Sequence, residues 1–286
     1  MNLPAEEFRK DLPLGVGPKI VLPEGKINTS ETVINENVRR NIKRALPQVP
    51  VYGETARPMC IVGGGWSLDD TFEELRELVW DGAAILALNG AANWLVERNI
   101  RPGAVFILDA QAINHRFIEK EIPDCKYFLA SQCDPSLFDT CEGRELYICH
   151  TGLIDSKIAE EVDKFYAGRV AHLVGGCTVG TRALTLVHRL GFRFLHLFGF
   201  DSCYNTEGKH HAYDQPWNDT DGSMEVWCAG RVFRCSAWQA GQGEDFQKYV
   251  QANGDEMHLH VHGDGLLAHF MVTGDKLERG KLLEEG

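Results

Sequence analysis

From Met59 onward the chain alternates short apolar runs with helical segments, and this alternation limits the possible folds more than any other feature of the sequence. Short apolar runs bounded by turn residues are typical of buried strands, whereas a spacing of three and four residues indicates helices. Strands that alternate with helices favour a mainly parallel, doubly wound α/β sheet of the Rossmann type. The predicted strands are residues 59–62, 83–88, 104–108, 127–130, 146–149 and 194–198, with helices at 93–98 and 178–190 among the segments between them.

Two glycine turns precede predicted helices. The first, Gly63-Gly64-Gly65, leads through Ser67 into a helix predicted at 71–80, which Ser67 or Asp69 would cap. The second, Gly175-Gly176, precedes Thr178 and the helix at 178–190. Glycines let a backbone approach a ligand closely, and the N–H groups at a helix start attract anions, so both turns are candidate phosphate sites. The alternative is that the turns only let each helix pack against the sheet.

Two familiar nucleotide motifs are absent from the first turn. No Gly-Lys-Ser or Gly-Lys-Thr follows Gly65, as a P-loop requires. Leu68 stands where a dinucleotide fingerprint has its third glycine, and the next strand ends in Asn89 instead of an acid. The sequence therefore argues against NAD binding and against a P-loop ATPase.

Polar residues follow three of the predicted strands. Asn89 and Asp109 come directly after an apolar run, and Asp201 follows another as the last residue of Gly199-Phe200-Asp201. Ligands of parallel sheets bind at the carboxyl ends of the strands, so the three side chains are expected to open onto one edge together with the glycine turns. The alternative for Asp201 is that it only caps the turn that follows it.

A long segment without periodicity, residues 202–222, comes after Asp201. It contains His210, His211, Tyr213 and Trp217, and an unstructured segment of this length inside a domain is usually functional. We expect a lid that closes over the strand ends. A hairpin at 225–235 and a helix at 237–252 are predicted to follow it.

Length and composition fit one α/β domain with additions. The chain has 286 residues, 44% of them hydrophobic, and this is enough for a substantial core. A net charge of −12 argues against nonspecific nucleic-acid binding, although a local basic groove remains open. Nine cysteines, an odd number, favour reduced thiols. No run of 18 apolar residues and no secretory signal pattern occur, so we expect a cytoplasmic protein without a membrane span.

The predicted organisation has three parts. Residues 1–56 form an N-terminal arm with a helix at about 30–46, residues 57–272 form the Rossmann-like domain with its lid, and residues 273–286 form a tail. His258, His260 and His262 alternate along one predicted strand, so the three imidazoles share a face. That face is either a transition-metal site or the polar side of an edge strand. The sequence leaves homo-oligomer formation open.

The motifs together resemble the 6-hydroxymethylpterin diphosphokinase-like superfamily, which includes motility-associated flagellin glycosylation proteins and is distantly similar to bacterial sialyltransferases. The resemblance spans about residues 57 to 240, and Trp66 departs from it where the family usually has proline. Tryptophan at that position either stacks on a base or packs beneath the loop. The matching segments are 61–68, 87–89, Pro102, 108–109, 175–180, 199–201, 210–212 and 230–233.

The resemblance implies a transferase that uses a nucleotide-linked donor, and a sialyltransferase-like transfer of a sugar to a hydroxyl acceptor is the leading interpretation. His210 or His211 would then be the base that deprotonates the acceptor, and Asp201 is a further candidate catalytic residue. The donor and acceptor stay open. The implied nucleotide- and phosphate-binding residues are Gly63, Gly64, Gly65, Ser67, Asn89, Asp109, Gly175, Gly176 and Thr178.

Three alternatives remain. In a pterin-type diphosphokinase, Asp109 and Asp201 would hold Mg²⁺ against the phosphates of ATP. A nucleotide-binding protein without catalysis would keep the fold, although acids facing a phosphate are of little use to it. A transferase that acts on nucleic acid would show tight, salt-sensitive binding to DNA.

Overall fold

The computed structural model describes residues 29–151, 156–214 and 223–282, and its centre is an eight-stranded sheet. All pairings within this sheet are parallel, which confirms the predicted doubly wound α/β fold. The strands are β1 Met59–Val62, β2 Ala84–Leu88, β3 Ala104–Ile107, β4 Lys126–Ala130, β5 Leu146–Thr151, β6 His172–Leu173, β7 Phe194–Phe198, β8 Ser223–Cys228, β9 Arg231–Ser236, β10 His258–Val261 and β11 Glu278–Leu282.

Helices cover both faces of the sheet. They are α1 Glu31–Ile42, α2 Phe72–Trp80, α3 Ala91–Glu97, α4 Pro135–Thr140, α5 Ser156–Phe165, α6 Val179–Arg189, α7 Ala237–Asn253 and α8 Leu266–Thr273. The helices α3, α6 and α7 begin close to their predicted starts. The side chains of Ser30 and Ser236 cap α1 and α7.

The strand order creates one switch point in the sheet. The order is β10-β7-β1-β2-β3-β4-β5-β6, so the chain runs outward from β1 to β6 and then returns through α6 to the other side of β1. Ligands of doubly wound sheets bind in the crevice where the winding direction reverses. In this chain that crevice lies beyond the carboxyl ends of β1 and β7.

Two apolar layers bury the sheet. Met59 and Ile61 of β1 point into the layer formed with α6, α7 and α8, whereas Cys60 and Val62 point into the layer formed with α2, α3 and α4. Burial on both faces explains why the strand is a continuous apolar run without alternation. All nine cysteines are free thiols.

Several elements differ from the predicted ones. Neither Ser67 nor Asp69 caps α2, because residues 66–68 form a separate 3-10 turn and the helix begins after Thr71. The two-residue strand β6, the helix α8 and the strand β11 were not predicted. β11 pairs with β8 in a second sheet of order β11-β8-β9, so part of the 273–286 segment packs against the hairpin at 223–236. Residues 1–28 of the predicted arm, and Trp217, lie outside the described residues.

Among residues 29–151, 156–214 and 223–282, no helix combines the length and apolar character that a membrane span requires.

Candidate functional site

The glycine turn after β1 is fastened to the end of β7 at the switch point. The N–H of Gly63 donates to the Phe198 carbonyl at 2.8 Å, and the N–H of Gly65 donates to the Gly199 carbonyl at 2.9 Å. The close approach of the two backbones requires glycine, since a Cβ at Gly63 would lie 2.8 Å from the Gly199 oxygen. The structure thus brings the Gly63–Gly65 turn and Asp201 together, as their positions after two strands predicted.

Asp201 lies beneath this turn. Its Oδ2 accepts a hydrogen bond from the backbone N–H of Ser67 at 3.0 Å, and the side chain is 4% exposed. Burial raises the pKa of this carboxyl group to about 6, while the hydrogen bond from the Ser67 N–H opposes the rise. The Asp201 Oδ1 and the Ser67 hydroxyl are buried and have no hydrogen-bond partner among the described residues. Two such polar atoms side by side are suited to a polar ligand.

We expect Gly65→Ala to lower the free energy of unfolding by about 1–3 kcal/mol, because the added methyl group overpacks the contact with β7. A Cβ at Gly65 would overlap with Asp201 Oδ2 and lie 2.6 Å from the Gly199 carbonyl oxygen. Gly53→Ala is the matched control, since a Cβ there has no atom within 4 Å. Urea denaturation of the three proteins measures the difference. Equal unfolding midpoints would show that the turn can move away from β7.

The described part of the lid, residues 202–214, folds back over the glycine turn. The Gly64 carbonyl accepts hydrogen bonds from His211 Nδ1 at 3.0 Å and from the Ala212 N–H at 3.1 Å. A Cβ at Gly64 would lie 2.7 Å from the Tyr213 hydroxyl, so Tyr213 also covers the turn. The lid and the glycine turn therefore form one site.

The two lid histidines occupy different surroundings. His210 is buried among aromatic rings, with ring-centre distances of 5.2 Å to Tyr204 and 5.8 Å to Trp238. His211 is half-buried against Gly64 and stacks on Tyr213. A carbonyl can only accept, so His211 carries its proton on Nδ1 in this bond and Nε2 is the basic nitrogen of the neutral ring. Burial, together with the neighbouring His210, lowers the pKa of His211 to about 4.

Trp66 packs beneath the lid in this arrangement. Its indole N–H donates to the Cys203 carbonyl at 3.1 Å, and its ring contacts the apolar layer formed with α6 to α8. Of the two roles considered for Trp66, packing under the loop is the one seen here. The indole fastens the start of the lid to the end of the glycine turn.

The second glycine turn uses its polar groups internally. The Cys177 N–H donates to the Asp245 carboxylate at 2.8 Å, and Thr178 forms a capping box with Thr181 at the start of α6. An incoming phosphate would compete with Asp245 for this turn. Phosphate binding by Gly175, Gly176 and Thr178 therefore stays a prediction.

The first turn of α6 nevertheless reaches the switch point. A Cβ at Gly180 would lie 2.8 Å from the Phe200 ring, and a Cβ at Gly63 would lie 3.4 Å from the same ring. Phe200 thus fills the space between the β1 turn and the start of α6. An apolar residue between Gly199 and Asp201 carries no sequence signal for this role, and sequence reasoning missed it.

Asn89 and Asp109 lie farther along the sheet edge. Asn89 follows β2 in a left-handed conformation with φ of 48°, and its buried Oδ1 has no hydrogen-bond partner among the described residues. Asp109 follows β3 and accepts from the Gln111 N–H at 3.3 Å. Because β1 and β2 separate β3 from β7, three strand spacings, about 14 Å, lie between the positions of Asp109 and Asp201. The structure does not bring these two carboxylates together.

Two glycines that were not predicted complete the site. A Cβ at Gly263 would lie 2.6 Å from the Ser67 hydroxyl, and a Cβ at Gly265 would lie 2.5 Å from the Asp201 Cα. The available signal was the Gly263-Asp264-Gly265 sequence, which begins two residues after β10 and, like the turn after β1, places glycines at a strand end. These glycines let the loop after β10 close over Asp201.

The family of the chain follows from its sequence. The family model described as 6-hydroxymethylpterin diphosphokinase MptE-like matches residues 33–207, which is more than half of the chain. The chain belongs to the MptE-like family. The matched region includes the β1 glycine turn, Asp201 and the start of the lid, and it ends before His210 and His211. This match confirms the resemblance to the 6-hydroxymethylpterin diphosphokinase-like superfamily that the motifs indicated.

Comparison with solved structures agrees with the fold of this MptE-like chain. The structure of the MAf glycosyltransferase from Magnetospirillum magneticum AMB-1 matches with a TM-score of 0.62 at 20% sequence identity. The match covers 82% of this chain and 36% of the glycosyltransferase, so the chain spans about a third of that protein. At this identity the likeness shows a shared fold. No curated protein sequence matches the chain.

Proposed function

We propose that this chain is a transferase that binds a nucleotide-linked donor at the β1/β7 switch point and moves a sugar to a hydroxyl acceptor. The contact between His211 and the Gly64 carbonyl is the observation that carries this proposal. It places a neutral imidazole, with Nε2 able to accept a proton, against the turn that would hold the donor phosphate. The fold shared with the MAf glycosyltransferase and the membership of the MptE-like family support a transferase.

The donor phosphate would lie against the upper side of the glycine turn. Because the Phe198 and Gly199 carbonyls accept from the N–H groups of Gly63 and Gly65, the Gly64 N–H is the donor of this turn that the described residues leave for a ligand. The Ser67 hydroxyl and the Asn89 amide oxygen are buried and lack partners within the described part of the chain, so they can bind polar groups of the nucleotide. Asp201 would orient Ser67 and the turn.

His211 is the better candidate for the base, and His210 for a positioning residue. His210 packs between Tyr204 and Trp238, whereas the Nδ1 of His211 is held by Gly64. A pKa of about 4 is low for a base that works near neutral pH. The negative charge of a bound phosphate would stabilise the imidazolium form and raise that pKa toward neutrality.

The arrangement does not fit one Mg²⁺ ion shared by Asp109 and Asp201. Carboxylates that share Mg²⁺ each lie about 2.0–2.1 Å from it, whereas about three strand spacings separate these two positions. Diphosphate transfer through Mg²⁺ at this pair is therefore the weaker alternative. Metal binding by either residue alone stays a prediction.

A thermal-shift panel tests the proposal. CMP, CDP, UDP, GDP, ADP and ATP are each added at about 100 times their Kd, with EDTA or with Mg²⁺. A ligand at this concentration that binds only the native state adds about 2.7 kcal/mol, which corresponds to a rise in Tm of about 5–10 °C. We expect one nucleotide class to raise Tm equally in EDTA and in Mg²⁺.

Two variants and three contrary outcomes complete this test. Gly64→Val, which crowds Tyr213 and His211, should lose the shift, whereas Gly53→Val, in open space, should keep it. A shift that needs Mg²⁺ would favour the diphosphokinase alternative. Absence of any shift would contradict nucleotide binding altogether. A shift without donor turnover would favour a binding protein that lacks catalysis.

A further inference from the structure

Four histidines cluster on one face of the sheet, away from the lid. Three of them occupy every second position of β10 and the residue after it: His258, His260 and His262. Their rings contact those of Phe194, His196 and Phe198 on the neighbouring strand β7. His196 therefore adds a fourth imidazole that the spacing in 258–262 alone did not reveal. The face is the one that α2 covers.

A chain of hydrogen bonds joins α2, β10 and β7. His262 Nδ1 lies 2.6 Å from Glu74 Oε2, and His262 Nε2 lies 3.0 Å from His196 Nδ1. Since an ionised carboxylate only accepts, the proton of His262 is on Nδ1 and its Nε2 lone pair points toward His196. A carboxylate that fixes the tautomer of an imidazole in this way is the usual outer partner of a metal-binding histidine.

These side chains border a cavity of about 240 Å³. Its polar lining consists of imidazoles on the sheet side and carboxylates on the α2 side, and such a mixture attracts a divalent cation. Leu78 is the apolar lining residue. The polar lining residues are His196, His260, His262, Glu74, Glu77 and Asp81.

We propose that His196, His260 and His262 bind a transition-metal dication of the Zn²⁺ class, with Glu74 as the hydrogen-bond partner of His262. In a tetrahedral site with Zn–N bonds of about 2.0–2.1 Å, two ligand nitrogens lie about 3.3 Å apart. His196 Nδ1 and His262 Nε2 are already 3.0 Å apart, so they need to separate by only a few tenths of an ångström. The metal would take the place of the proton between them.

The third ligand requires a side-chain rotation. Within residues 29–151, 156–214 and 223–282, no three His, Cys, Asp or Glu side chains are already arranged as a metal site. The His260 ring is exposed, and its centre lies 4.3 Å from that of His262 and 5.7 Å from that of His196. Rotation of this side chain turns a ring nitrogen toward the pair without moving the backbone.

The ligand set also decides which metals bind. Imidazole suits Zn²⁺, Ni²⁺ and Cu²⁺, whereas Mg²⁺ prefers oxygen ligands and keeps its waters. The site is therefore distinct in chemistry from any Mg²⁺ bound near Asp109 or Asp201. It would fasten α2 to the end of β10, and Gly263, the residue after His262, lies against Ser67.

Metal binding to the untagged full chain tests this proposal. Protein carrying Cys177→Ser, which removes the exposed thiol, is stripped with EDTA, dialysed and titrated with Zn²⁺ against a chromogenic chelator. We expect one Zn²⁺ per chain, no competition from millimolar Mg²⁺, and a Co²⁺ complex with the visible absorption of nitrogen-ligated tetrahedral cobalt.

Four variants separate this site from nonspecific binding. Glu74→Gln should weaken Zn²⁺ binding by about 10–100-fold, as loss of an outer partner does, and His260→Ala should weaken it more. His196→Ala should abolish the Co²⁺ spectrum. His258→Ala is the matched control, because His258 lies in the same strand as His260, stacks on Phe194 of β7 and does not line this cavity.

Three results would overturn the proposal. These are the absence of stoichiometric Zn²⁺ binding, equal losses of affinity in His258→Ala and His260→Ala, and an octahedral Co²⁺ spectrum. Because Glu74 and His260 are exposed at the surface, Glu74→Gln and His260→Ala should fold normally, and circular dichroism verifies this.

Discussion

Replacement of His211 with alanine is expected to lower donor turnover by about 10²–10⁴-fold, which is the usual contribution of a general base. Donor affinity should change little, because His211 contacts the Gly64 carbonyl and leaves the N–H groups of the turn unaffected. Turnover is measured as nucleotide release from the donor identified by the thermal-shift panel, with kcat and KM determined separately. A loss confined to kcat would assign His211 to the chemical step.

Two variants of neighbouring residues provide the controls. Lys209→Ala removes an exposed side chain of the same segment, which pairs with Glu207, and should leave turnover unchanged. His210→Ala disturbs the packing against Tyr204 and Trp238, so it should affect KM and kcat together. Normal turnover in both histidine variants would place the base outside the lid.

The second large effect concerns stability, and Asp201 is its source. The native carboxyl group has a pKa of about 6 against a usual value of 3.8, so between these values the folded chain binds a proton that the unfolded chain has lost. The contribution of Asp201 to stability is therefore greatest below pH 3.8, falls as the pH rises to about 6 and is constant above it. The difference of about two pKa units corresponds to about 3 kcal/mol.

Asp201→Asn removes this dependence on pH, because the amide does not titrate. Its Oδ1 can still accept from the Ser67 N–H. Relative to the wild type, the variant should gain about 2.4 kcal/mol in free energy of unfolding between pH 4 and pH 7.5. Urea denaturation at several pH values measures the gain. Asp255→Asn is the control, because Asp255 is exposed. Parallel pH profiles of the Asp201→Asn and wild-type proteins would show that the burial of Asp201 has no energetic cost.

A residue that destabilises the fold at neutral pH is typical of a functional site. The same variant should therefore lose function while it gains stability above pH 6. The Ser67 hydroxyl and Asp201 Oδ1, both buried without partners among the described residues, belong to the same region. The cost of burying them is one that ligand binding can relieve.

The sequence predicted most of the sheet because its strands are buried on both faces. β1 and β7 were predicted with their observed bounds, and β2 to β5 differ by one or two residues at their ends. Continuous apolar runs between turn residues are a strong local signal. β6 has only two residues, and its pairing with β5 depends on tertiary contacts that leave no such signal.

The candidate site was predicted in part for a related reason. The turn at 63–65, Asp201 and the lid histidines follow strands, and the rule for strand ends brings them together. The strand order itself was not predictable from local patterns, so the distance between Asp109 and Asp201 was unknown. The order also decides that His196 faces His262, although 66 residues separate them in sequence.

The order of the strands has a further consequence for how the site forms during synthesis. The hydrogen bond from the Ser67 N–H to Asp201 joins residues 134 positions apart, and Gly263 and Gly265 come later still. A ribosome that adds about 5–20 residues per second therefore needs several seconds or more to supply the partners of the first glycine turn. Until then the edge of β1 that later pairs with β7 is unpaired and open to wrong partners, so the nascent chain exposes this edge for as long as β7 has not been made.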